Sequence, residues 1–450
     1  MDSPYYTWLL AELAEKHHVP GAQLALYVDG TPSYAETGLE RADNGPPVSR
    51  HSSFAFGSVT KAFTATVALQ LVRDGDIDLD TPIAAYIPEL GGGPDDIGGV
   101  VTLRTLLSHT SGLQAEFDPG GAAVGSVRRY VHACRDLRLL FPPGAAFSYS
   151  NAGFVLAGHL IELMAGAGWW DTVESLLLLP LGIEPAFTAD PRVRPGGRPT
   201  ATGHTLHPVR QRVVPIDSLA QVCDAPAGGL AGSAADLLKF GLAQIGAVPE
   251  LTGVLDAAGM SMMRDQVPGA YPYGLAAGWG LGLSRFQGRG EMWFGHDGTA
   301  DGSTCHLRFQ PERRVVLAVT TNATTGLRLW DGVLRNLREA GLDIGSYSAP
   351  VIPAAGPPVD TSACVGDYCN GDMRYTVRCG ADGGLQLVDD VTLSLRVGAD
   401  LVFTATSPAT DEPPSAGRFV RDPATGRIDL MEINGRAARR CAGNVEVQGV

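Results

Sequence analysis

Between residues 345 and 363 the chain reads GSYSAPVIPAAGPPVDTSA, with Pro350, Pro353, Pro357 and Pro358 among small residues and a single charge, Asp360. Proline fixes φ and removes a backbone donor, and small side chains offer little surface to bury, so the stretch favours an extended linker over a packed element. It divides the chain into a domain over 1–344, a linker over 345–361 and a second domain over 362–450. A length of 450 residues, beyond the size at which one core stops growing, agrees with that division.

The two sides differ in texture. Upstream, Pro4 to His18 reads as a helix, GAQLALYVDG as a strand, and Ser58 to Gly75 as a helix with Phe63, Val67 and Leu71 at four-residue steps. GWGLGLS, STCHLRFQ and RVVLAVTTN read as consecutive strands, QPERR as the turn between the last two, and GLRLWDGVLRNLREAGL as an amphipathic helix. Strands at both ends with helices between them predict an α+β fold, an antiparallel sheet with flanking helices and a helical insertion. Downstream, GDYCN, RYTVRCGADGGLQLV, TLSLRVG, LVFTAT, AGRFVRD and RIDLMEING alternate between Gly, Asp and Asn turns, the pattern of a small all-β barrel.

A balance of 34 basic against 48 acidic side chains, net -14, repels phosphate backbones and anionic lipid, which excludes nucleic acid and membrane surfaces as natural partners. The opening MDSPYYTWLLAELAEKHHVPG has no apolar run suited to secretion or membrane spanning, so a cytoplasmic location is expected. Seven scattered cysteines without a CxxC pair are expected to be free thiols, in keeping with a reducing compartment. No metal-ligand spacing is present, and no cofactor is expected.

Three stretches carry potential chemistry. In FGSVTKAF, Ser58 begins a helix, beside unpaired N–H groups, and Lys61 lies one turn on, within reach of its oxygen. A lysine serves as a base near neutrality only when burial or a neighbouring cation lowers its pKa. In FPPGAAFSYSNAGF, Tyr149 and Asn151 sit two apart on an extended segment before a helix. A lysine ammonium would push the phenol towards phenolate, and the amide would hold a substrate carbonyl. In MWFGHDGTADGSTCHLRF, Gly295 and Gly298 bracket His296 immediately ahead of a strand, placing the imidazole on a sheet edge.

In this order, Ser-x-x-Lys, Tyr-x-Asn and His-x-Gly resemble the three motifs of class C β-lactamases and their penicillin-binding-protein relatives. LRTLLSHTSGL, PLGIEPAF and APAGGLAGSAADLLKF are similar to family segments as well, so the resemblance runs from about residue 5 to 340. It implies Ser58 as the acylated nucleophile, Lys61 as its proton acceptor, Tyr149 as a second acid/base group, Asn151 as the carbonyl-holding amide and His296 as the strand residue that orients Tyr149 or the acyl group. The backbone N–H groups of Ser58 and Thr299 would form the oxyanion hole. Gly228 and Gly229 would let backbone pack along the rim of the substrate cleft, and His109 would support a loop behind the site.

The second domain resembles the lipocalin-like domain found on some D-aminopeptidases and on penicillin-binding-protein-type thioesterases that macrocyclise nonribosomal peptides. The resemblance therefore implies a peptidyl-Ser58 acyl-enzyme formed from a carrier-bound thioester and released by head-to-tail cyclisation, with a D-residue at the acyl terminus. Arg436, in the basic run NGRAARR, is expected at the mouth of the cleft, and the run itself would face an acidic peptidyl carrier protein. The alternatives are a D-stereospecific aminopeptidase or esterase, with water as acceptor, and a catalytically inactive lipocalin-like binding protein.

Overall fold

The computed structural model describes the chain apart from residues 1–2, 121–125, 189–197, 208, 211, 217–220, 248–252, 351, 353–360, 381–382, 390, 408–413 and 442–450. Most of the expected linker lies outside the described residues. After helix α1 (Ser3–Lys16), strands β1 (Gly21–Val28) and β2 (Thr31–Gly38) form a hairpin. The helical insertion includes α2 (Thr60–Asp74), α3 (Asn151–Ala165) and α4 (Ala234–Gln244). The chain then returns as β3 (Gly278–Trp279), β4 (Ser284–Gln287), β5 (Met292–Ala300), β6 (Ser303–Gln310), β7 (Val315–Thr321) and helix α5 (Gly326–Glu339). These strands make one sheet in the order β2-β1-β7-β6-β5-β4-β3.

Alternation along β6 shows how the layers stack. His306 lies flat on Trp330 of α5, with ring centroids 4.6 Å apart. Its neighbour Leu307 faces the other way, towards Gly241 of α4, where a Cβ would come within 3.5 Å of Leu307 and 2.4 Å of Val316. The sheet is therefore covered on both faces. Helix α2 is buried from Thr60 to Leu71, which makes it a core helix, and it ends at Gly75 in the left-handed conformation with φ 85°.

GWGLGLS is not one strand. Gly280 and Gly282 turn the chain between β3 and β4: a Cβ at Gly280 would meet the Met263 carbonyl at 2.0 Å, and Gly282 has φ 81°. His296 lies inside β5 rather than ahead of a strand. Because β4 pairs only as far as Gly295, His296 is nonetheless the first residue of the strand's open edge.

Eight antiparallel strands close the barrel: β8 (Gly366–Asn370), β9 (Met373–Cys379), β10 (Leu385–Val388), β11 (Thr392–Val397), β12 (Val402–Thr406), β13 (Ser415–Arg421), β14 (Ile428–Ile433) and β15 (Arg436–Arg440). Tyr368, Phe403, Phe419 and Met431 occupy its interior, each at most 2% exposed. Closure of β8 on β15 pairs Cys369 with Arg439 and brings Cys441 alongside, and the two cysteines form a disulfide. The expectation of seven free thiols is thus wrong for this pair. The partners are 72 positions apart, a proximity that only the closed barrel creates. Among the described residues no single helix is long and apolar enough to cross a membrane.

Candidate active site

Ser58 occupies a single 3-10 turn (Gly57–Val59) that leads into α2. Gly57 makes the approach possible: it has φ 51°, and a Cβ there would lie 2.4 Å from the carbonyl oxygen of Thr299 on β5. A Cβ at Gly298 would likewise come 3.0 Å from the Ser58 nitrogen. The serine turn and the open edge of β5 are thus in backbone contact, which sets the N–H groups of Ser58 and Thr299 in one neighbourhood.

Lys61, fully buried, donates to Ser58 Oγ at 3.0 Å and to the Ala227 carbonyl at 2.7 Å. Burial pushes its pKa down from 10.5 to about 7; the Glu116 and Asp224 charges oppose the shift and Arg436 adds to it. Near neutrality the amine is therefore substantially unprotonated. The ammonium position also lies 4.9 Å from the centre of the Tyr149 ring.

Tyr149 is fixed by its surroundings rather than by its hydroxyl. Its ring stacks on His109 at 4.2 Å and meets Trp279 edge-on at 5.8 Å. Its N–H donates to the Gly435 carbonyl at 2.8 Å, while Oη is buried and unpaired among the described residues. Burial raises the phenol pKa above its ordinary value, against an opposing effect of Ser58. The expected phenolate is therefore not favoured: desolvation acts on the phenol directly, and a lysine lowered to about 7 carries its charge only part of the time near neutrality.

His109 supports this platform. It has φ 58°, accepts the Ser150 N–H through Nδ1 at 3.0 Å, and accepts the Ser148 N–H through its carbonyl at 2.9 Å. His296 is 2% exposed, and its Nδ1 donates to the Asp297 carbonyl at 2.6 Å. A carbonyl can only accept, so Nδ1 carries the hydrogen and Nε2 presents a lone pair, unpaired among the described residues. Burial, then the Lys61 charge, lowers this imidazole to about 3. It is neutral under ordinary conditions.

Asn151 is the first residue of α3 rather than part of the extended segment, with Ser150 as its N-cap. Its Nδ2 donates to Glu116 Oε1 at 2.7 Å, and the same carboxylate oxygen lies 3.6 Å from Arg436 Nη2. Glu116 thus joins an insertion residue to a barrel residue. The basic run NGRAARR is not a single patch: Arg436 lines the cleft, Arg439 lines a separate cavity, and Arg440 bonds the carbonyls of Ile428, Ala363 and Val365.

Two cavities meet at Ser58 and Thr299. The smaller, about 220 Å³, is lined by Asn151, Asp224, Gly228, Gly229 and Asp301. A Cβ at Gly229 would strike Ala225 at 2.7 Å, whereas one at Gly228 would meet nothing closer than Gly57 at 3.8 Å. Close packing along the rim therefore requires glycine at Gly229 and not at Gly228. The larger cavity, about 500 Å³, contains Tyr149, Trp279, His296 and Arg436 and continues round the edge of β5 to Asp297, His306 and Trp330. Burial would raise the Asp297 carboxyl, but Arg308, bidentate at 2.8 and 2.7 Å, and His306 at 2.7 Å hold it well below the usual range.

Sequence reasoning missed Asn370, on the barrel. At 1% exposure it accepts the Ala115 N–H at 2.7 Å and donates to the Ala437 carbonyl at 2.7 Å and Ser148 Oγ at 3.3 Å. Ala115 and Ser148, which immediately precede Glu116 and Tyr149, are thereby tied to β8, and Asn370 itself to β15. Nothing local in the sequence marks this residue, because its partners lie up to 255 positions away.

Residues 9–342 match the Beta-lactamase family. Penicillin-binding protein 4 of Amycolatopsis lactamdurans is 32% identical over 79% of this chain and 94% of its own length. The crystal structure of SurE is similar over 98% of this chain and 99% of that one, with 41% identity and a TM-score of 0.87, and SurE with D-Leu gives 0.84. The D-amino acid amidase from Ochrobactrum anthropi, complexed with L-phenylalanine amide, is 25% identical over 73% of this chain and 98% of its own, with a TM-score of 0.61. With its Ser-x-x-Lys pair set on the sheet edge and a closed eight-stranded barrel added, this chain belongs to the β-lactamase and penicillin-binding-protein-like family of serine enzymes.

Proposed function

We propose that the chain is a serine acyltransferase of the penicillin-binding-protein-type thioesterase kind, which takes a peptidyl group from a carrier-bound thioester and releases it as a head-to-tail macrocycle. The observation that carries this reading is the barrel hairpin at the cleft: Gly435 bonds Tyr149, and Arg436 lines the large cavity beside Ser58. Such a cover favours a held amine over water as the second nucleophile. Similarity to SurE along the whole length, including SurE with D-Leu, supports a D-residue at the acyl terminus.

In this reading neutral Lys61 takes the Ser58 proton as Oγ attacks the thioester carbon, and the N–H groups of Ser58 and Thr299 receive the oxyanion. Collapse breaks the C–S bond, and the thiolate leaves with the proton that Lys61 took from Ser58, handed over directly or relayed through the Tyr149 hydroxyl, so that Lys61 is neutral again. The peptide's own amine then attacks the ester carbon and loses a proton to Lys61, and as the C–Oγ bond breaks Oγ takes that proton back, which restores the Ser58 hydroxyl and the neutral lysine. Neutral His296 offers Nε2 as an acceptor that orients the Tyr149 hydroxyl, and Asn151 donates to a substrate carbonyl.

A D-stereospecific amidase would use the same groups with water as acceptor, and similarity to the D-amino acid amidase favours it as the second reading. The binding-protein alternative is weakened by the side chains that fill the barrel. The test is the intact mass of products formed from a free-amine peptidyl pantetheine thioester ending in a D-residue, with Ser58→Ala as control. Loss of the thiol without added water is expected. The linear acid alone, still dependent on Ser58, would replace cyclisation with hydrolysis.

A further inference from the structure

Helices α1 and α5 lie side by side, and their contact is close: a Cβ at Gly332 would come 2.6 Å from Leu13. This contact sets Lys16 and His17, at the end of α1, beside Arg328 and Arg335, which are two turns apart on α5. Together they line a pocket of about 240 Å³ whose acidic member is Asp331.

Among the described residues Lys16, Arg328 and Arg335 form no ion pair, whereas Arg338 on the same helix is bound to Asp343 at 2.6 Å. Burial lowers the His17 imidazole, and the cations Lys16, Arg328 and Arg335 add to the effect. Three cations against the single carboxylate of Asp331, gathered on one surface of a chain with net charge -14, attract an anionic occupant.

The pocket also has a direction. Asp331 lines both it and the large cavity that reaches Ser58, and Leu327 and Trp330 of the same helix line that cavity as well. Leu327 is 47% exposed, an apolar side chain at the entrance.

Resting on the thioesterase reading above, we propose that the α1–α5 pocket docks the acidic face of the carrier protein, whose thioester arm runs over Asp331 and Leu327 into the large cavity. Docking there overcomes, locally, the repulsion that the chain's overall charge imposes on an acidic partner. It also assigns to the catalytic domain a role that the basic run of the barrel, split among three environments, does not fill.

The test compares wild type with the exposed triple variant Lys16→Glu, Arg328→Glu, Arg335→Glu, after circular dichroism has shown both to be folded. Each receives the same D-terminated peptide on an acidic carrier protein, as a pantetheine thioester and as a phosphopantetheine thioester. The expected result is a loss of about tenfold or more in kcat/KM for the carrier-bound peptide, shrinking as salt is raised, with both small thioesters unaffected. An unchanged carrier-bound rate overturns the docking. So does an equal loss on the pantetheine thioester, which would mean damage to the site, or a loss shared by the phosphopantetheine form alone, which would make the pocket a small phosphate site. If wild type turns over neither small thioester, the thioesterase reading falls and the docking with it. Normal turnover of both, with carrier delivery indifferent to the reversal, removes the docking only.

Discussion

The catalytic region and the barrel treat buried polar groups in opposite ways. Around Ser58, Tyr149 Oη, His109 Nε2, His296 Nε2 and Asn151 Oδ1 are all buried without a hydrogen-bond partner among the described residues. In the barrel, Asn370 makes three bonds, Tyr368 donates to the Cys364 carbonyl and accepts from Arg440, and buried Glu432 is held by Arg418. Among the described residues the sole buried, unpaired side-chain nitrogen or oxygen of the barrel is Arg436 Nε, and Arg436 lines the cleft. An unpaired buried polar group costs stability. Tyr149, His296 and Asn151 line the cavities at Ser58, where a bound substrate can supply the missing partner, and the barrel contributes the satisfied framework that holds them in place.

The largest break in this comparison is expected from Lys61→Met. It removes the base and with it about 10³-fold or more of acylation, read as the burst with an activated ester. It also removes a buried amine, so the melting temperature should hold or rise. Tyr149→Phe should lower kcat by roughly 10²-fold with little loss of stability, since its hydroxyl, though close to Ser58, makes no well-formed hydrogen bond to forfeit. A parallel fall in melting temperature would contradict the assignment of that oxygen as unpaired.

Asn370→Ala is the converse case. Three groups lose a partner, so a loss of about 3 kcal/mol in denaturant unfolding is expected, with a smaller fall in kcat than for Tyr149→Phe. Unchanged stability would show that the barrel does not pin the Tyr149 segment.

The pH profile gives the next effect. Lys61 accepts a proton only when neutral, so kcat/KM should fall as pH drops through about 7, and His296, at about 3, adds no second limb above pH 5. The same depressed amine means that the folded state binds fewer protons than the unfolded between about 7 and 10.5. Its burial penalty is therefore full below that window and fades as pH rises through it. Unfolding titrations should show this slope in wild type and lose it in Lys61→Met. The smallest effect is expected from Arg436→Ala, a few-fold rise in KM with kcat nearly unchanged.

What was legible in the sequence was local. Ser58 and Lys61 share one helical turn, and Tyr149 and His296 lie in short motifs whose spacing survives reading along the chain. The switch from helix-and-strand texture to short alternating runs likewise foretold the barrel. Contacts across the molecule were not legible: Glu116 meets Asn151 across 35 positions, Asn370 meets Ala115 across 255, and the disulfide joins strands that only closure brings together. Protonation was misread at Tyr149 because depth, which decides desolvation, has no signature in a motif.

The bond from Tyr149 to Gly435, with the neighbouring one from Ala437 to Ser148 across 289 positions, has a consequence for synthesis. Domains fold in turn as they leave the ribosome. The serine and its lysine can be in place while the tyrosine's segment still lacks its partner, so full reactivity is expected only once the hairpin has emerged. Ribosome-stalled chains ending before residue 434 should resist a fluorophosphonate that labels longer ones, and equal labelling of both would remove this timing.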